Sequence, residues 1–228
     1  MKYDKNHALL ECTIPGLESK SGKVRDVYDL GDKLLLVVTD RISAFDVILP
    51  CGVPDKGKVL NQISLFWMEF FGMKNHLITA NVDEYPEVLQ PYKEDLRGRS
   101  MLVKKVKMVE VECIARGYLT GSGWKEYQKS QTVNGEKLRE GYQNASKLDE
   151  VLFTPTTKAA IGDHDEAIDY AQTEQLVGAE TAKKLKDATI DLYTRAADYA
   201  RGHGIIIADT KFEFGQDEDG SLILADEV

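Results

Sequence analysis

Apolar residues recur in two rhythms along this chain, and each rhythm predicts a kind of element. Gly22 to Leu30 and Lys33 to Thr39, the latter with a Leu-Leu-Leu-Val-Val run, have strand character, and Gly31-Asp32 between them predicts a turn, so the pair reads as a β-hairpin. From Leu60 to Gly72 the period lengthens. Ile63, Phe66, Trp67, Phe70 and Phe71 stand at i, i+3, i+4, i+7 and i+8, the apolar face of an amphipathic helix that stops at Gly72. Ser100 to Gly117 returns to strand character, and Gly121 to Ser130 predicts a short helix carrying Trp124 and Tyr127. Val133 to Asp149 is polar, contains Gly, Asn and Lys, and reads as a long surface excursion. Ala179 to Gly202 is the clearest helix. Ala182, Leu185, Thr189, Leu192, Ala196 and Tyr199 form one face, Glu180 and Lys184 are a favourable i, i+4 pair, and Gly202 and Gly204 end it. Ile205 to Phe214 and Ser221 to Ala225 are the last strands. Runs of strands followed by helices predict an α+β fold rather than a doubly wound sheet.

The last two strands carry the most informative chemistry. Residues of one parity share a face of a strand, so Asp209, Lys211 and Glu213 point one way, while Ile206, Ala208, Phe212 and Phe214 point into a core. A two-residue Asp219-Gly220 turn would set Glu213 opposite Asp226, with both carboxylates on one face. Two facing carboxylates repel unless a cation or a proton lies between them, and an oxygen-only pair suits Mg²⁺ completed by nucleotide phosphates and water. A solvent-facing strand with salt-bridged charges would show the same residues.

Other candidates are weaker alone. Lys23 and Arg25 are two apart after Ser21-Gly22, which would put two cations on one face beside a turn that backbone can bring close to phosphate; an exposed edge with solvated charges fits equally. Thr39 to Asp46 crowds polar residues after a buried strand, as functional loops and ordinary turns both do. Glu112 and Arg116 bracket an apolar Cys113-Ile114-Ala115, and Arg116 could clamp a phosphate or carboxylate or form a structural ion pair. Lys158 and His164-Asp165 lie in a Gly-bearing loop.

Composition narrows the class. The 228 residues suffice for one large or two modest domains, and 38 acidic against 29 basic residues give a net charge of −9, which argues against duplex nucleic acid or an anionic membrane as the main partner. No apolar run is long enough to span a bilayer and Met1 to Leu10 is polar. Cys12, Cys51 and Cys113 are widely spaced, without a CxxC pair, so free thiols in a reducing cytoplasm are the simpler expectation.

Four segments, in order, carry a resemblance: Gly22-Lys23-Val24-Arg25-Asp26-Val27-Tyr28; Thr39-Asp40-Arg41-Ile42-Ser43-Ala44-Phe45-Asp46; Val111 to Gly117 leading to Gly121-Ser122; and Ile207-Ala208-Asp209-Thr210-Lys211-Phe212-Glu213-Phe214-Gly215. Together they resemble the signature segments of the phosphoribosylaminoimidazole-succinocarboxamide synthase (SAICAR synthetase) family, over essentially the whole chain, and the stretch at 133–149 resembles its longer-chain, eukaryote-like branch. The resemblance implies an α+β protein with a β-rich ATP lobe over residues 1–108, distantly like that of protein kinases, and a substrate and metal lobe over 109–228. It implies a ligase joining carboxyaminoimidazole ribonucleotide (CAIR) to L-aspartate with ATP and Mg²⁺, working on small molecules alone, with homo-oligomers left open. Lys23, Val24 and Arg25 would hold ATP phosphates, and Lys104, Lys105 and Met108 would lie along the adenine. Glu213 and Asp226 would bind Mg²⁺, Arg116 and Ser122 the ribonucleotide, and Asp46, Lys158, Asp165, Asp209 and Lys211 would line the reacting end. The family pattern runs on past Asp226-Glu227-Val228 into a Thr-Pro-Asp-Ser-Ser-Arg stretch and further helices, so the resemblance implies a truncated chain lacking an arginine that contacts substrate phosphate. A phosphotransferase of another small molecule, or a nucleotide-binding protein without turnover, would keep the nucleotide segments but need no aspartate.

Overall fold

Lys33–Val38 is apolar on both faces, and the fold covers both. In the computed structural model, which describes residues 1–44, 47–158 and 166–228, the first part of the chain contains Ser19–Ser21 (β1), Arg25–Asp29 (β2), Lys33–Val38 (β3), Arg41–Ala44 (β4), Val47–Gly52 (β5), helix Lys56–Phe71 (α1), Leu77–Thr79 (β6) and Ser100–Lys104 (β7). An antiparallel sheet runs β1-β2-β3-β7-β6, and β4 pairs with β5 separately. Alternation along β3 sends Leu35 and Val37 into a cluster with Tyr28, Ile14 and Leu89, and Leu36 into another with Met68, Met101 and Val103. The chain divides into two compact units, Met1–Val106 with Glu227–Val228, and Lys107–Asp226.

Helix α1 begins four residues before Leu60 and ends at Gly72, its left-handed cap. Of the aromatic stripe the periodicity predicts, its buried face keeps Phe71 but not Ile63 or Phe66. Gly57, Asn61, Ser64, Met68 and Phe71 are buried, whereas Ile63 and Phe66 are exposed. The cause is close approach: a Cβ on Gly57 would stand 2.2 Å from the Val38 carbonyl oxygen, so the helix meets β3 through its smallest residues. On this face Asn61 Nδ2 donates to the Gly98 carbonyl oxygen (3.1 Å), and the backbone of Val228 bonds Ser64 Oγ.

The second unit contains Lys107–Met108 (β8), Val111–Leu119 (β9), Gly121–Ser130 (α2), Ser146–Phe153 (β10), Thr156–Thr157 (β11), Tyr170–Val177 (α3), Ala179–Gly202 (α4), Asp209–Gln216 (β12) and Leu222–Ala225 (β13). Its antiparallel sheet runs β8-β12-β9-β10, with β11 on β9 and β13 on β12. Residues 146–149 belong to β10 and not to a surface excursion. Leu148, Leu152 and Phe153 are buried, with Leu148 and Leu152 packed on Leu119 and Tyr127, while Lys147, Asp149 and Glu150 face out and hide the alternation in a polar composition. Strand β12 begins at Asp209, opposite Arg116, and not at Ile205, and Ile206 is exposed. Phe212 and Phe214 are buried.

Helix α4 covers the odd-numbered face of β9. It buries Ala182, Leu185, Thr189, Leu192, Tyr193, Ala196, Ala197 and Ala200, with Tyr199 left exposed. The Tyr193 hydroxyl donates to the Ile207 carbonyl oxygen (2.7 Å) and fills the space where residue 117 would carry a side chain: a Cβ on Gly117 would lie 2.1 Å from that hydroxyl. The Gly117 and Tyr118 amides both donate to the Ala208 carbonyl oxygen (3.0 and 3.2 Å), beside the register shift between Arg116 and Tyr118. Gly117→Ala is expected to lower unfolding stability by about 1–3 kcal/mol through overpacking, read from urea denaturation; an unchanged midpoint would contradict this packing.

Candidate active site

Because odd residues of β9 face α4, even residues Glu112, Ile114 and Arg116 face the other way. The antiparallel register sets Arg116 opposite Asp209 and Ile114 opposite Lys211. The predicted charged face of β12 therefore lies beside the charged face of β9. Lys211 Nζ donates to Glu112 Oε1 (2.6 Å) and Glu213 Oε1 (3.1 Å), and Lys158 Nζ reaches Glu213 Oε2. Thr156 Oγ1 donates to Glu112 Oε2 (3.1 Å). Both carboxylates are buried, at 8% and 7% exposure, so each must be paired, and the two ammonium groups balance them. Burial of Lys211 works against its charge, but the Glu112 hydrogen bond and the charge of Glu213 outweigh it and hold its proton above the ordinary lysine range.

Arg116 lies on the same even face. Its guanidinium donates to Asp209 Oδ2 (2.6 Å), Thr154 Oγ1 (3.1 Å) and Ser122 Oγ (3.4 Å), the last from the first turn of α2. Arg116, Ser122 and Asp209 are thus brought together, and so are Lys158, Lys211 and Glu213.

The facing of Glu213 and Asp226 does not hold. Asp217 N donates to Ser221 O and Gly220 N to Asp217 O, with Gly220 at φ 77°, so the loop has three residues, 218–220, instead of two. One extra loop residue slips the register by one, and Glu213 pairs with Ala225. Asp226 follows the strand in a left-handed conformation, φ 61°. Among the described residues no set of three or more His, Cys, Asp or Glu could hold a metal. Glu213 nonetheless has the chemistry of a cation ligand: its buried oxygens already take two ammonium groups. Carboxylate oxygens in so small a number suit Mg²⁺, which keeps water and phosphate as its remaining ligands.

In the first unit, Lys23 and Val24 lie in the turn between β1 and β2, since β2 starts only at Arg25. Lys23 and Arg25 therefore do not share one strand face. Gly22 N donates to Arg25 O (2.7 Å), and Arg25 pairs with Glu227 (3.8 Å). Arg41, buried, donates to the carbonyls of Leu10, Gly22, Lys23 and Arg25 and to both oxygens of Asp26. Lys104 ends β7, its amide on the His76 carbonyl (2.8 Å); Lys105 pairs with Asp29 (2.6 Å); Met108, in β8, is opposite Gly215. Asp46 and Asp165, with the neighbouring His164, lie outside the described residues.

Arg41, Thr154 and Thr156 were not singled out by sequence reasoning, and Glu112 only as a neighbour of Arg116. Parity within Val111–Leu119 puts Glu112 on the Arg116 face; its link to Lys211 needs a pairing across about a hundred residues.

The SAICAR synthetase family matches residues 18–228. A phosphoribosylaminoimidazole-succinocarboxamide synthase from Desulfatibacillum aliphaticivorans is 56% identical over 213 residues, covering 92% of this chain and 71% of its own length. Among solved structures, SAICAR synthase from Saccharomyces cerevisiae complexed with SAICAR is similar at TM-score 0.90 and 42% identity, over 97% of this chain and 76% of its own. A type-2 SAICAR synthetase in complex with ADP is similar at TM-score 0.74 and 25% identity, over 92% and 80%.

The Lys211 cluster has a pH signature. A lysine whose pKa rises on folding adds stability that is complete below the unfolded value, about 10.4, and is lost as pH climbs through the folded one. The unfolding free energy is expected to fall more steeply above about pH 10 than that of Lys211→Met; parallel curves would remove the cluster's contribution.

Proposed function

The chain belongs to the SAICAR synthetase family, and from that premise we propose how its residues divide the work of the reaction. The protein is an ATP-dependent ligase that condenses CAIR with L-aspartate to SAICAR, ADP and phosphate in purine biosynthesis. A carboxylate is a poor electrophile because it is already anionic. Transfer of the γ-phosphoryl group to the CAIR carboxylate gives an acyl phosphate; the aspartate amine attacks its carbonyl carbon, the C–O bond to phosphate breaks, and the amine proton is lost. Such catalysis is mostly positioning and charge neutralisation.

The observation that carries the assignment is the charge-balanced face shared by β9 and β12. Arg116, with Ser122 beside it, takes the ribonucleotide phosphate or carboxylate, and Asp209 orients the guanidinium. Lys211 and Lys158 supply positive charge at the reacting carboxylate, and Asp46 and Asp165 belong to the same end by family resemblance. In the first unit, the β-rich, distantly kinase-like lobe, Lys23, Val24 and Arg25 hold the ATP phosphates. Lys104, Lys105 and Met108 follow the adenine. Glu213, with its buried carboxylate, and, by family resemblance alone, Asp226, which does not face it, would hold Mg²⁺; when bound the ion neutralises phosphate charge. Three free cysteines, two of them buried, suit a reducing cytoplasm.

A coupled assay tests this. Phosphate release is expected to require ATP, CAIR and aspartate together; turnover without aspartate would indicate a phosphotransferase instead. Arg116→Ala is expected to raise the KM for CAIR about 10–100-fold, the loss of a charged hydrogen bond, with the KM for ATP nearly unchanged. A matched rise in the KM for ATP would contradict the division.

A further inference from the structure

The turn 22–25 shows where its carbonyl groups go. Arg41 Nη2 donates to Gly22 O (2.9 Å) and Arg25 O (3.1 Å), and Arg41 Nε to Lys23 O (3.2 Å). The remaining carbonyl, of Val24, accepts from the amide (3.0 Å) and the hydroxyl (2.7 Å) of Thr39. All four carbonyls of the turn are therefore drawn to one side. A trans peptide is planar, with its N–H opposite its C=O. Holding Gly22 O and Lys23 O inward directs the Lys23 and Val24 amide N–H groups outward. Successive amides presented together form a concavity that binds anions. Arg41 is itself fixed by Asp26, wholly buried, through contacts of 2.9 and 3.4 Å, and by Leu10 O (2.7 Å). A planar five-donor fork can hold several carbonyls at once, which a lysine cannot.

We propose that Arg41 is a positioning residue for the nucleotide: by capturing the carbonyls of the 22–25 turn it presents the Lys23 and Val24 amides to the phosphate chain. It touches no phosphate. The proposal rests on the reading of this turn as the ATP phosphate site, and its consequence is specific, since loss of Arg41 impairs recognition of phosphate and leaves the nucleoside alone.

The test is calorimetric titration of the chain with MgADP and, separately, with adenosine. For Arg41→Lys, which retains charge beside Asp26 but loses the fork, the MgADP Kd is expected to rise about tenfold, the equivalent of one or two net hydrogen bonds, with the adenosine Kd within about twofold of wild type. Equal weakening of both ligands, as a merely structural role would give, or an unchanged MgADP affinity, overturns the proposal. Should Arg41→Lys not fold, Thr39→Val decides. It removes one of the two bonds to Val24 O and is expected to weaken MgADP about threefold and adenosine not at all; no change in MgADP affinity counts against the proposal. Lys23→Glu, which puts a carboxylate beside those amides and so repels a phosphate bound anywhere on this turn, is the separate control. Wild-type MgADP affinity in that variant removes the phosphate site from this turn, and the role of Arg41 with it, whereas weakened binding there beside an unaffected Arg41→Lys rejects Arg41 alone.

Discussion

The antiparallel pairing of Val111–Leu119 with Asp209–Gln216, in one register, is the constraint on which the candidate active site depends. It joins segments about a hundred residues apart, so its contacts must outweigh a long loop closure. It also sorts side chains. Odd residues of the first strand meet α4, with Gly117 under the Tyr193 hydroxyl, and even residues carry Glu112 and Arg116 to Asp209, Lys211 and Glu213. A slip by one residue would send Glu112 and Arg116 toward a packed helix and Cys113 and Ala115 toward the charges. The packing that stabilises the sheet therefore also fixes the chemistry of its other face.

Buried ion pairs do related work in the first unit. Asp26 and Arg41 hold the 22–25 turn, and Asp40 accepts from the amides of Leu9 and Gly57 (2.8 Å each) and from Arg99 (3.0 Å), tying four stretches of chain together. Burying such charges gives little net stability against an apolar substitute. What they provide here is conformation: a turn with inward carbonyls, and a helix whose first residues are held against β3.

What could be read from the sequence follows the range of the interactions. Helices 121–130 and 179–202 and the Gly31-Asp32 hairpin depend on local periodicity and turn residues, and each was legible. Parity alone placed Lys211 and Glu213 together. Helix α1 defeats periodicity because a close approach at Gly57, set by the distant Val38 carbonyl, decides which face is buried. The Glu213 partner is hidden from the sequence because Asp219-Gly220 signals a tight turn whether the loop has two residues or three, and a single residue exchanges Asp226 for Ala225. Glu112, Thr156 and Arg41 owe their places to partners far along the chain, which one sequence does not reveal.

Glu112 and Lys211 act as a coupled pair across the β9–β12 register. A double-mutant cycle of Glu112→Gln and Lys211→Met, measured by urea denaturation at pH 7, addresses it directly. Direct contact predicts a coupling energy of about 1 kcal/mol, discounted for the exposure of the lysine. Additivity within about 0.3 kcal/mol would contradict the register and the site built on it.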